Sequence, residues 1–193
     1  MEASLTNNLS RYVTFTDEEL RVLTSLVKTQ FVPKKTMMLR AGEHGNFEAY
    51  VVKGCVRKFY IDEDGNELIL QFGIEDHWVG DISFNAFDDQ PSRVFIETLE
   101  DSEFLIFDKE SKEELFRRVP KFERAFRILV QRHLASTQNR LFDSVSKDAT
   151  QKYLDFLKLY PTIPQRVAQH YIASYLGISP EFLSKVRARL AKH

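Results

Sequence analysis

The sequence predicts an α+β fold: an N-terminal antiparallel β-roll (a double-stranded β-helix) with flanking helices, then one long helix, then a C-terminal helix-turn-helix. Three observations predict it. Six of the seven glycines, Gly42, Gly45, Gly54, Gly65, Gly73 and Gly80, punctuate residues 42–80 and separate short strand-like runs. From residue 109 onward the apolar residues recur at intervals of three and four, which is the helical spacing. The seventh glycine, Gly177, stands between two short amphipathic runs near the end of the chain.

Thr16 and Glu19 form a capping box ahead of a helix whose Leu20, Leu23, Leu26 and Val27 share one face. Strands are expected over residues 36–39, 47–52, 55–61, 68–72, 94–99 and 104–107. The segment DEDGN, residues 62–66, is a hairpin connection because Asp-Gly favours the tight turns that match strand twist. Many short strands joined by tight turns close into a sandwich or roll. Residues 109–118 read as a helix that must stop before Pro120, and residues 121–143 as a long helix free of glycine and proline.

The apolar stripe of that long helix, Phe122, Phe126, Leu129, Val130, Leu134 and Leu141, is wide enough to cover both the roll and a partner helix. A homodimer across it is expected, with His133 on the same seam. The competing reading is that the stripe serves only its own domain. A further helix over residues 148–160 ends at Pro161. The chain is therefore divided into residues 1–145 and 146–193.

Residues 169–190 read QHYIASYLGISPEFLSKVRARL. Ile172, Leu176, Ile178, Leu183 and Val186 fall at the inward positions of two helices sharing a small core. Ala173 lets the two backbones approach where they cross, and Gly177 suits a left-handed turn residue. Ser179 can cap the second helix, Pro180 fits its first position, and Glu181 complements the positive end of its dipole. The second helix then offers Ser184, Lys185, Arg187 and Arg189, and the first offers Gln169 and His170. Donors in that arrangement can reach base edges and phosphates if the second helix enters a major groove of double-stranded DNA. A helical hairpin with a solvated basic face is the competing reading.

Charge is distributed to match. Residues 42–108 carry sixteen acids against four bases, whereas residues 163–193 carry five bases against Glu181 alone, so the basic end can face phosphate while the acidic segment stays clear of it. A hydrophobic content of 43% is ample for a packed core, which excludes a disordered chain. No apolar run approaches the roughly 20 residues of a membrane span, and the start lacks the basic-then-apolar order of a signal peptide, so a cytoplasmic protein without membrane partners is expected. One cysteine, Cys55, allows neither an internal disulfide nor an all-cysteine metal site.

A roll, a long helix and a helix-turn-helix, in that order, resemble the Crp/Fnr family of bacterial transcription regulators over almost the whole chain. The run AGEHGNFEAYVVKGCVRKFYIDEDGNELILQFGIEDHWVGD is similar to the family's cyclic-nucleotide-binding roll, with Gly42-Glu43, the strand end at residues 51–54, and Asp64-Gly65. The ending YIASYLGISPEFLSKVRARL is similar to regulators common in the Bacteroidetes. The resemblance implies a dimer on a near-palindromic site, recognition helices about 34 Å apart, and contact with RNA polymerase. It also implies that Glu181 accepts from a cytosine amino group and that Lys185 stands where an arginine often reads guanine. Ser179 lies beside them at the helix start.

In cyclic-nucleotide binders of that family a Gly-Glu pair holds the ribose, and a later Arg-Ser or Arg-Thr pair holds the cyclic phosphate. Here the corresponding residues are Gly80, Asp81 and Ile82, then Ser92 and Arg93, so the carboxylate is one methylene shorter and the arginine one residue late. A one-residue shift in an extended segment turns a side chain to the opposite face. Losing a charge-assisted phosphate contact forfeits about 1.5–3 kcal/mol, so tight cyclic AMP binding is not expected and no cofactor or metal is assigned. A nucleotide-binding module signalling by protein contact alone would leave the C-terminal donors unexplained. A cupin-like enzyme would need more histidines than the roll's His44 and His77, so catalysis is not expected.

Overall fold

The structure is a computed structural model and describes residues 2–81 and 90–191. The chain forms two compact units, one of residues 1–58 and 72–132, the other of residues 59–71 and 133–193. The first division after the roll therefore falls inside the long helix, ahead of the boundary placed at residue 145.

The chain begins with α1 (Glu2–Ser10) and α2 (Asp17–Leu26), followed by β1 (Lys28–Val32), β2 (Met37–Leu39), β3 (Phe47–Lys53), β4 (Val56–Ile61), β5 (Glu67–Gly73), β6 (Trp78–Gly80), β7 (Phe95–Thr98) and β8 (Ser102–Asp108). Then come α3 (Lys109–Arg118) and α4 (Pro120–Ser146). The strands make two four-stranded sheets, ordered β1-β8-β3-β6 and β2-β7-β4-β5. With their antiparallel pairing and the helices around them they make the expected α+β roll.

Side-chain alternation on β3 and β8 separates two cores. Ala49 and Val51, with Phe104, join Val32, Leu39, Val56, Val79 and Ile96 in one cluster. Tyr50, with Leu105 and Phe107, joins Leu5, Leu9, Leu23, Leu115, Phe122 and Ala125 from the helices in the other. Both faces of these strands are buried, which is why their sequences run apolar instead of alternating.

The capping box is formed: Glu19 N–H donates to Thr16 Oγ1 at 3.2 Å and Thr16 N–H donates to Glu19 Oε2 at 2.7 Å. Helix α1 was not anticipated, since its sequence is polar and weakly patterned. Tertiary bonds hold it: Asn8 Nδ2 donates to Asp76 Oδ1 at 2.8 Å, Trp78 Nε1 donates to Asn8 Oδ1 at 3.1 Å, and Arg11 pairs with Asp76 at 2.6 Å.

Phe122 must be removed from the expected dimer seam. It is fully buried against its own roll, with its ring stacked on Phe107 at 5.7 Å between centroids. Phe126 and Leu129 pack on the same cluster. The start of α4 thus closes its own core, and a stripe read from periodicity alone does not tell which wall it faces.

The second unit holds the remainder of α4, then α5 (Ala149–Leu159), α6 (Ile163–Arg166), α7 (Gln169–Leu176) and α8 (Pro180–Leu190), with residues 59–71, which are the end of β4, the turn and most of β5. Asp148 caps α5 by accepting from Gln151 N–H at 2.8 Å. Phe156 anchors an aromatic group with Tyr153, Tyr160 and Tyr175, the last two with ring centroids 5.4 Å from its own. Ile172, Ala173, Leu176, Leu183 and Val186 are buried beside them, and Ile178 is half-buried. No described helix is long and apolar enough to cross a membrane.

Candidate nucleic-acid interface

Helix α7 ends where its sequence requires. Gly177 adopts φ 68° and ψ 37°, a left-handed conformation in which its N–H donates back to the carbonyls of Ala173 and Ser174. Ile178 N–H also donates to Ala173 O at 3.1 Å, so the turn is fixed by backbone bonds. Two residues later Ser179 Oγ accepts from Phe182 N–H at 3.2 Å and Pro180 opens α8. Glu181 lies in the first turn, where the helix-end amide and the Ser179 hydroxyl hold its carboxyl below the ordinary range, with Lys185 adding to the effect. It is an ionised acceptor.

Leu183 and Val186 are buried, so α8 is held by one stripe and shows the other. At about 100° per residue, Glu181, Ser184, Lys185 and Ala188 lie on the open face with Arg189 at its edge. Glu181, Ser184, Lys185, Arg189 and Ser179 are exposed, as are Gln169 and His170 at the start of α7. Arg187 is half-buried and lies toward the opposite flank, away from Lys185. It can contribute charge to a phosphate from there, but it does not share the reading face. Phe182, which the sequence reading passed over, is 48% exposed in the first turn.

A second constellation positions α7. Among the described residues strand β5 ends the order of its sheet, so its outer edge presents backbone groups that no described strand pairs with. Ser174 Oγ accepts from Ile69 N–H at 3.0 Å and donates to Glu67 O at 2.6 Å. Arg140, from α4, donates to Ile69 O at 2.8 Å, to Leu70 O, and to Tyr175 O at 3.2 Å, with its guanidinium 4.0 Å above the Tyr175 ring. Neither residue stood out in the sequence, because its partners lie 105 and 71 residues away.

The expected effector pocket is only partly assembled. Gly80, Asp81 and Ser92 are buried, whereas Arg93 is exposed, which corrects its place in that group; Ile82 lies outside the described residues. The reason is the alternation of an extended segment: with Ser92 turned in, its neighbour turns out. Ser92 is engaged locally, its Oγ accepting from Val94 N–H at 3.1 Å and its carbonyl accepting from Gly42 N–H at 2.8 Å. A Cβ at Gly80 would lie 2.2 Å from Glu48 Oε2, so only glycine lets that carboxyl approach.

A half-buried cation beside Gly80 is Lys58, whose Nζ donates to Gly80 O at 2.8 Å. Burial pulls the Lys58 ammonium down, and the charges of Asp81 and Glu48 partly offset it. Burial likewise pushes Glu48 up to about 7 against the pull of Lys112, 3.8 Å away, and of Lys58. The signal was present: Lys58 follows Val56 at strand spacing, and Val56 is in the core. Among the described residues no group of three or more His, Cys, Asp or Glu could hold a metal ion.

On the α4 seam, Val130 is half-buried and His133, Leu134 and Leu141 are exposed. Leu134 is 57% exposed and Leu141 64%, seven residues apart, and Val145 continues the stripe at 83%. Phe142, 63% exposed, flanks it. The apolar surface thus lies further along the helix than expected.

Residues 29–119 match the cyclic nucleotide-binding domain family, which defines the class of the roll. The fold of the whole chain is that of Crp/Fnr regulators, as the sequence resemblance implied. It superposes on the c-di-GMP responsive global regulator CLP of Xanthomonas campestris with a TM-score of 0.73, 19% identity and 92% of each chain covered. The catabolite activator protein of Thermus thermophilus gives 0.60 and 23% identity, covering 96% of this chain and 87% of that one. A chain from Eubacterium rectale assigned to the Crp/Fnr family gives 0.68 and 15% identity, covering 92% of this chain and 85% of that one. No curated protein sequence matches.

Proposed function

We propose that the chain is a dimeric, sequence-specific DNA-binding transcriptional regulator of the Crp/Fnr type, acting in the cytoplasm with α7 and α8 as its helix-turn-helix. The observation that carries this reading is α8 itself. It is capped at Ser179, seated by buried Leu183 and Val186, and opens Glu181, Ser184, Lys185 and Arg189 to solvent on one side. A short helix fixed at its first turn with donors and an ionised acceptor outward suits entry into a major groove. Contact with RNA polymerase follows from the family likeness.

The roll is assigned no tight cyclic AMP binding, because Arg93 is exposed and Lys58 is already engaged by Gly80 O. Calorimetry with cyclic AMP tests this, and micromolar binding would refute it. The CLP regulator responds to c-di-GMP, so that nucleotide belongs in the same titration.

DNA binding is tested by selection of duplexes from a random library, followed by electrophoretic shifts. Lys185→Ala combined with Arg189→Ala should abolish the specific complex and reduce the salt slope by about 2. Selection that enriches no duplex, or a double variant that binds as the parent does, would overturn the reading.

A further inference from the structure

We infer that Phe182 is a specificity residue of the same interface and that it takes the 5-methyl group of a thymine in the operator. This rests on the DNA-binding reading of α8. Three observations carry it. Phe182 is 48% exposed although Leu183 beside it and Val186 one turn on are buried, so the helix core is complete without it. Its backbone is fixed, because its N–H donates to the N-cap Ser179 at 3.2 Å, so the ring projects from the first turn at a set place. At about 100° per residue it stands at the edge of the open face beside Arg189, with Lys185 one turn on toward the middle of that face, and both are exposed.

Leaving an aromatic ring half in water forgoes stabilisation that burial elsewhere would supply. Phosphate oxygens and most base edges offer that ring only polar groups. The major groove presents one apolar feature, the thymine methyl, and phenylalanine is among the side chains that meet it. The basic surroundings select DNA as the occupant: a protein or lipid partner would need further apolar surface, and Leu183 and Val186 are already buried within the unit. Glu181 and Lys185 would then read hydrogen-bonding edges while Phe182 discriminates thymine from cytosine by its methyl group.

The experiment uses the full chain and the duplex selected above, with each thymine of the half-site replaced in turn by deoxyuridine, which differs only by that methyl. For the parent protein, one position should lose roughly three- to five-fold in affinity. Phe182→Ala should bind the all-thymine duplex more weakly by a similar factor and be indifferent to deoxyuridine there, whereas Phe182→Leu should keep most of the sensitivity. Unchanged circular dichroism melts show that the variants fold. The inference is overturned if the parent ignores every substitution, or if Phe182→Ala keeps the parent's sensitivity. Failure to select any duplex sinks the DNA reading first, and this one with it.

Discussion

Glu48 and Lys112 form an ion pair whose side chains are 8% and 7% exposed, a costly arrangement unless it holds something in place. Because burial raises the Glu48 carboxyl to about 7, the folded chain binds a proton there that the unfolded chain has released. Its stabilising contribution is therefore full below the ordinary carboxyl range and is lost as pH rises toward about 7. Glu48→Gln removes that dependence. The melting temperature of the variant relative to the parent should climb between about pH 5 and about pH 8, by several degrees for an effect on the order of 2 kcal/mol. Parallel melting profiles across that range would refute it. Residues with local duties were legible in the sequence: the Thr16–Glu19 box, Ser179 as a cap and Gly177 in its left-handed turn all follow from neighbours within four positions. The inward place of Phe122 was not, because which side of a helix is inside is settled by distant partners.

At the scale of elements, the hairpin at residues 62–66 and the helix at Lys109–Arg118 were readable from turn chemistry and periodicity. Strands β1 and β6 were missed for opposite reasons. The first is a largely exposed edge strand with a polar sequence, and the second has three residues, too few for a pattern. The contact between β5 and α7 was also invisible to local reasoning, yet it fixes one face of the proposed reading unit. Ser174→Ala leaves the Ile69 N–H and the Glu67 carbonyl without that hydroxyl, which should cost about 1–2 kcal/mol. Amide hydrogen exchange should show it first, with Ile69 exchanging several-fold faster while amides of β3 and β8 keep their rates. Uniform acceleration across the chain, or none, would contradict the role given to Ser174.

At the scale of the whole molecule, the acid-rich middle and base-rich end are plain from composition, and the proposed DNA interface lies at the base-rich end. The dimer is the proposal that belongs here. Leu134, Leu141 and Val145 stand on one stripe at coiled-coil intervals, with Leu141 seven residues beyond Leu134. Replacing Leu134 and Leu141 together by Glu should convert the dimer to a monomer in sedimentation velocity and weaken operator binding by at least about ten-fold, since two half-sites then bind separately. A variant that still sediments as a dimer would place the partner contact elsewhere. Ser174 and Arg140 also give the C-terminal region a protective duty: they occupy hydrogen-bonding positions of β5 that would otherwise invite strands from other copies. Shortened versions ending near residue 132 should therefore precipitate or fibrillise at concentrations where the full chain stays dispersed.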